Sequence, residues 1–144
     1  MTGACALALI LGALAFQYLG HIAPCEMCHW QRWPYIAASV IGLIGTLLWK
    51  KDARGLAIAT IVLVLLSGLI GAYQAGMQWG FLPGPEACTV DHAYVMGSGA
   101  PPPQVSCNVV TWSLFGLSLA AYNAIFAFVI AGTGVLLMRR NHAA

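Results

Sequence analysis

Apolar residues run along this chain in four long blocks, set apart by stretches where charge, glycine and proline collect. The first block covers 3–21 and is interrupted only by Gln17. The second opens somewhere between Cys28 and Pro34, with its apolar body at 33–49. The third covers 55–76 and the fourth 112–138. A helix needs about 20 apolar residues to cross the hydrocarbon core of a bilayer, and four such segments fit with little chain to spare. The pattern predicts an all-α membrane protein, an antiparallel four-helix transmembrane bundle forming a single integral membrane domain over 1–144. Small residues such as Gly42, Gly45, Gly68, Gly71, Gly116, Gly132 and Gly134 are expected at its helix contacts.

Composition removes the soluble alternatives. The chain is 60% hydrophobic and 7% charged, where soluble domains run near 25% charged. No room remains for a soluble catalytic domain, so chemistry must sit in short loops and at helix ends. A cleaved signal peptide would want a basic stretch before its apolar core, and residues 1–20 hold no Lys or Arg. Block 3–21 is therefore expected to stay as a span.

Charge sets the orientation. Lys50, Lys51 and Arg54 form a tight polar turn between the second and third blocks, and Arg139 and Arg140 follow the fourth. Four spans put these places on one side, which the excess of Lys and Arg marks as cytoplasmic. Both termini then lie in the cytoplasm, and loops 22–32 and 77–111 face outward, into the periplasm if the host is a bacterium. Trp30, Trp33, Tyr35, Trp79, Phe81 and Trp112 gather on that side as an interfacial belt should. A net charge of +2, confined to one side, does not argue for nucleic acid. The second loop carries Pro83, Gly84, Pro85, Gly97 and Gly99 and a triple proline at 101–103. It reads as turn-rich with at most a short helix at 91–96, and the prolines as a stiff spacer before Cys107.

Four of the five cysteines, Cys25, Cys28, Cys88 and Cys107, fall in those outer loops, where disulfides persist. Structural staples are one reading, strongest for Cys88 and Cys107, which could tie the long loop down. A C-x-x-C pair closes too small a ring to restrain much chain, and such pairs are more often redox-active or metal-binding. Arg32, the one basic side chain on the outer side, lies four residues after Cys28. A guanidinium and a helix N-terminus both favour thiolate over thiol. The same string, Cys25-Glu26-Met27-Cys28-His29, spells the attachment motif of c-type haem, with Met77, Met96 or His92 as axial partner. That reading leaves Cys88 and Cys107 unused. Zinc held by Cys25, Cys28 and His29 is disfavoured by the cation beside it. Cys5, near the cytoplasmic end, reads as a small buried hydrophobe without a role.

Three stretches carry a resemblance. Pro24-Cys25-Glu26-Met27-Cys28 is followed by Gln31-Arg32 and Pro34-Tyr35; Trp79-Gly80 and Pro83-Gly84-Pro85 precede Cys88; and Trp112-Ser113-Leu114-Phe115-Gly116 leads to Ala120 and Asn123. In this order they resemble the DsbB family, the quinone-linked disulfide bond formation proteins of bacterial inner membranes. The vitamin K epoxide reductase family does related chemistry, but there the loop cysteines precede the C-x-x-C.

The resemblance implies a protein-dithiol:quinone oxidoreductase. It would act as a monomer in membrane lipid, taking electrons from a periplasmic thioredoxin-fold, DsbA-like protein. Cys88 and Cys107 would form the loop disulfide that meets this donor, with Cys88 attacked first. Electrons would pass to Cys25–Cys28 and on to ubiquinone or menaquinone, with Cys28 facing the quinone and Arg32 holding its thiolate and the developing oxyanion. No metal is implied. Gln74 and Gln78 stand where many members carry His and Glu, so they are candidate quinone ligands that cannot shuttle protons near neutral pH. His29 and His92 are the substitutes for that task.

Overall fold

The structure, a computed structural model, describes residues 1–47, 53–85, 88 and 106–143, with only the backbone at 53 and 141–143. The polar turn at 50–52, the short helix expected at 91–96, the prolines at 101–103, and His92 and Met96 lie outside the described residues.

Four long helices account for most of the described chain. They are α1 (Thr2–Tyr18), α2 (Glu26–Leu47), α3 (Ala53–Gln78) and α4 (Leu119–Ala143). Each matches one apolar block, but their ends differ from expectation for local reasons. Helix α1 stops at Tyr18 rather than 21, where Leu19 and Gly20 both donate to the Ala15 carbonyl and His21 turns left-handed (φ 52°). Helix α2 begins at Glu26, earlier than the 28–34 window. Cys25 occupies its capping position and accepts the Cys28 backbone N–H on its sulfur at 3.2 Å, while Glu26 suits the positive end of the helix dipole. Pro34 lies within α2 and does not mark its start.

Helix α4 begins seven residues later than 112. Residues 113–118 fold as an antiparallel hairpin of two short strands, β1 (Ser113–Leu114) and β2 (Leu117–Ser118), with Ser113 opposite Ser118. Its turn residues, Phe115 (φ 50°) and Gly116 (φ 78°), are both left-handed, the geometry that joins twisted strands best. The Ser118 hydroxyl then accepts the Ala121 N–H at 3.3 Å and caps α4.

Consecutive helices pack antiparallel, as contacts at their opposite ends require. A Cβ on Gly42 of α2 would lie 2.7 Å from the Cα of Gly3 on α1, and one on Gly3 would lie 2.8 Å from Gly42. The two backbones touch there. Gly71 of α3 likewise faces the Ala120 carbonyl of α4, 3.0 Å from where its Cβ would stand. Of the glycines expected at helix contacts, Gly116 and Gly132 instead meet open space, Gly116 because it forms the hairpin turn. The Gly42→Val variant should lose about 1–3 kcal/mol, the usual cost of overpacking, read as a lower unfolding midpoint in detergent; an unchanged midpoint would deny the close approach.

The main core is built from small and branched residues, among them Ala6, Ala38, Val64, Ala127 and Ala131. Large apolar side chains point outward instead, including Leu43, Leu47, Val62, Leu69, Val129 and Leu136. Two helical segments, Arg54–Gln78 and Leu119–Arg140, are long and apolar enough to cross a membrane, yet only 33% and 28% of their most apolar windows is buried inside the protein. An apolar helix so little covered needs an apolar surrounding.

Candidate redox site

A second buried cluster sits at the end of the bundle where α2 begins and α3 ends, and consists of Cys25, Met27, Met77, Cys88 and Cys107. Cys25 pairs with Cys28 and Cys88 with Cys107, each with Cα atoms 5.1 Å apart. The first disulfide is held by the α2 N-terminus. The second joins two loop positions 19 residues apart, where the Cys107 N–H and the Ser106 hydroxyl both donate to the Cys88 carbonyl. Both disulfides are thus parts of one packed unit, which neither spacing nor composition could reveal.

Cys25 and Cys28 also line a cavity of about 430 Å³ between α1 and α4, helices that otherwise meet at few points. An aromatic run forms one side of it. Phe16 and Trp112 lie 5.2 Å apart between ring centroids, Trp112 and Tyr122 6.3 Å, and Tyr122 and Phe126 6.3 Å. Its polar lining is sparse and includes Arg32, Gln74 and Gln78.

Arg32 shares the cavity with Cys28, but its guanidinium donates to the Gln17 side-chain oxygen at 2.6 Å, tying α2 to α1. Arg32 precedes the apolar stretch of α2; burial lowers its pKa, with an opposing electrostatic contribution from nearby Tyr18, and a guanidinium so placed stays protonated. Gln74 is buried and donates to the Cys25 sulfur at 3.0 Å and, more weakly, to Cys28 at 3.8 Å. Gln78 lines the cavity with a buried side-chain oxygen that has no hydrogen-bond partner among the described residues. His29, a candidate proton carrier, is exposed and is not part of the cavity lining. Cys5 is a free cysteine, as expected, but exposed rather than buried: α1 turns Gly3, Ala6 and Ile10 inward and Cys5 to the opposite face.

Sequence reasoning gave no role to Gln31 or Asn123, and it read Gln17 only as an interruption. These residues form the polar interior of the site. Gln31 donates to Gln74, Asn123 to Gln31, and Tyr35 to Asn123. Their signal was isolation: a lone amide in an apolar helix must find a partner, though the sequence does not say which.

Cys5→Ala should leave both disulfides and any activity intact, checked by non-reducing peptide mapping; Cys5 found in a disulfide with any of the other four cysteines would overturn the arrangement.

A helical bundle with outward apolar faces and two disulfides in one cluster belongs to a class, proteins built around disulfide exchange at a membrane. Comparison with known proteins gives the family. The family model described as "Disulfide bond formation protein DsbB" matches residues 1–137. A disulfide bond formation protein B of Dechloromonas aromatica is 31% identical over 95% of this chain and 88% of its own length. A disulfide bond formation protein B 1 of Pseudomonas savastanoi pv. phaseolicola is 33% identical over 90% of this chain and 80% of its own length. The match in Polaromonas sp. is 30% identical over 92% and 84%. No solved structure matches. The chain belongs to the DsbB family, the disulfide-forming oxidoreductases of membranes.

Proposed function

We propose that this protein reoxidises a periplasmic thioredoxin-fold, DsbA-like dithiol protein and delivers the electrons to a membrane quinone. It works as four antiparallel spans of the bacterial inner membrane, with both termini cytoplasmic and loops 22–32 and 77–111 periplasmic. One observation carries the reading: two disulfides share a buried cluster, and one of them also lines an apolar cavity. A structural staple needs no cavity at its sulfur atoms.

The thiol chemistry proceeds in balanced steps. A donor thiolate attacks the Cys88 sulfur, forming a mixed disulfide and releasing Cys107 as thiolate. Docking must uncover Cys88, which is 3% exposed. The donor's second thiol then displaces Cys88, so the donor leaves oxidised and the loop pair holds two electrons. The same exchange against Cys25–Cys28 moves those electrons to the helix end.

The cavity suits a quinone. Its volume lies within the usual range for small-molecule sites, about 300–1,000 Å³, and its walls are mainly apolar. Arg32 supplies a fixed positive charge and donors for a ring oxygen. Gln78 supplies a buried acceptor without a partner among the described residues, suited to a hydroquinone O–H. Gln74 faces the sulfur side through its bonds to Cys25 and Gln31. Bound there, a quinone, ubiquinone or menaquinone, is the acceptor of two electrons and two protons. Single copies suffice, since every residue invoked comes from one chain.

The test begins with the reduced donor. A donor variant without its second thiol, mixed in the reduced form with the wild-type protein, should yield a covalent adduct on a non-reducing gel, because its remaining thiolate opens Cys88–Cys107 and the thiol that would displace Cys88 is gone. The adduct should vanish when Cys88 is replaced. An adduct that forms equally without Cys88 removes the loop from the path. A Soret band in the purified protein would replace the whole reading with haem chemistry.

A further inference from the structure

Four side chains from three helices make one continuous line of hydrogen bonds ending on sulfur. The Tyr35 hydroxyl donates to Asn123 Oδ1 (2.6 Å), Asn123 Nδ2 to Gln31 Oε1 (2.7 Å), Gln31 Nε2 to Gln74 Oε1 (2.5 Å), and Gln74 Nε2 to Cys25 Sγ (3.0 Å). Amide groups can flip, so the direction of such a line needs a cause. Both ends supply one. Asn123 Nδ2 also donates to the Ser67 backbone carbonyl (3.4 Å), which can only accept. At the other end a disulfide sulfur carries no proton and likewise can only accept. Each end forces the same polarity on every amide between them, and the Ser67 constraint survives when the disulfide is reduced.

We infer that Asn123, Gln31 and Tyr35 are positioning residues that hold the Gln74 amide N–H on Cys25, so that its thiol ionises readily once the pair is reduced. This rests on the redox reading above. A reduced Cys25 can be a thiol that donates or a thiolate that accepts. Donation would require Gln74 to turn its oxygen toward sulfur, and that flip would have to pass through Gln31 to Asn123. It would leave the Ser67 carbonyl facing an oxygen in a buried setting, which is costly. The thiolate fits the line as it stands. Cys25 also receives the Cys28 backbone N–H (3.2 Å), whereas among the described residues Cys28 has only the long Gln74 contact (3.8 Å). In the reduced pair this asymmetry favours the thiolate on Cys25, a member of the buried cluster, where the resemblance implied it on Cys28 beside Arg32. Other ionisable or charged groups near it among the described residues are Arg32, Tyr35 and Tyr122, which line the same cavity, and Glu26, whose carboxylate accepts the Trp30 indole N–H. The thiols of Cys88 and Cys107 adjoin it when reduced. None of these but Tyr35 belongs to the amide line.

The test uses full-length protein in which Cys25 is the single thiol, with Cys5→Ala, Cys28→Ser, Cys88→Ser and Cys107→Ser. The rate of Cys25 alkylation by iodoacetamide is followed against pH by mass spectrometry, and its midpoint reports ionisation. Asn123→Leu should raise that midpoint by about one unit, the usual worth of a hydrogen bond to a charged group. Gln74→Met should do the same. The pair together should do no more than either alone, because the residues act as one line. Tyr35→Phe should shift the midpoint less, since the Ser67 carbonyl still fixes the direction. If Asn123→Leu fails to fold, Gln31→Met makes the same break. An unchanged midpoint with the line broken overturns the inference, and so do additive shifts. The titration needs neither donor nor quinone, so a failed quinone assay in the wild type would reject the redox reading and leave this result separate.

Discussion

Cys28→Ser is expected to reduce donor-driven quinone reduction to the uncatalysed background. Cys28 is the cysteine of the C-x-x-C pair with the fewer hydrogen bonds among the described residues, and it lines the cavity beside Arg32. Without it Cys25 has no partner with which to re-form a disulfide, so the electrons have no path from sulfur to the quinone. A three-residue separation closes a small ring and restrains little chain in the unfolded state, so thermal stability should hardly change. That separation of effects is the point of the measurement. Quinone turnover is followed by its absorbance, and unfolding is monitored in the same preparation. Turnover that survives at the wild-type rate would reject the proposed electron path, while turnover lost together with fold would say nothing of chemistry and direct the test to Cys28→Ala.

How much of this was legible beforehand depends on the kind of signal. The four apolar blocks gave the four helices because burial in an apolar surrounding is a property of composition over many residues. The cysteines stood out because their residue type and location have few uses. Helix ends were read less well, since they turn on single local devices. A sulfur atom caps α2, and a Phe-Gly turn at 115–116 makes a hairpin where a helix was expected. Least legible was the interior polar line. Gln31, Gln74 and Asn123 lie more than 40 residues apart in sequence, and their relation exists only once α2, α3 and α4 pack. Gln74 shows the limit. Its amide character spoke against proton transfer, but nothing in the sequence directed it to Cys25.

Arg32 separates catalysis from anchoring. A snorkelling arginine is replaceable by lysine, which carries the same charge on a long stem. Arg32 is instead half-buried, pinned to Gln17 across the α1–α2 contact, and directed into the cavity. A planar fork fixed by one bond can present its remaining donors to a ring oxygen, which a lysine point charge does less well. Losing one preorganised donor to a developing oxyanion costs on the order of 10²–10³ in rate, and partial exposure to interfacial water reduces that. Arg32→Lys should therefore slow quinone reduction and Arg32→Met should slow it further. Gln17→Leu should give a smaller loss, since it frees the guanidinium without removing its charge. Exchange between the donor and Cys88–Cys107 should proceed at the wild-type rate in all three, because that step uses neither residue. Stopped-flow thiol exchange and quinone absorbance measured on the same variants decide the matter. Equal slowing of both steps would mean damaged folding, and full activity of Arg32→Met in both would reduce Arg32 to a tie between two helices.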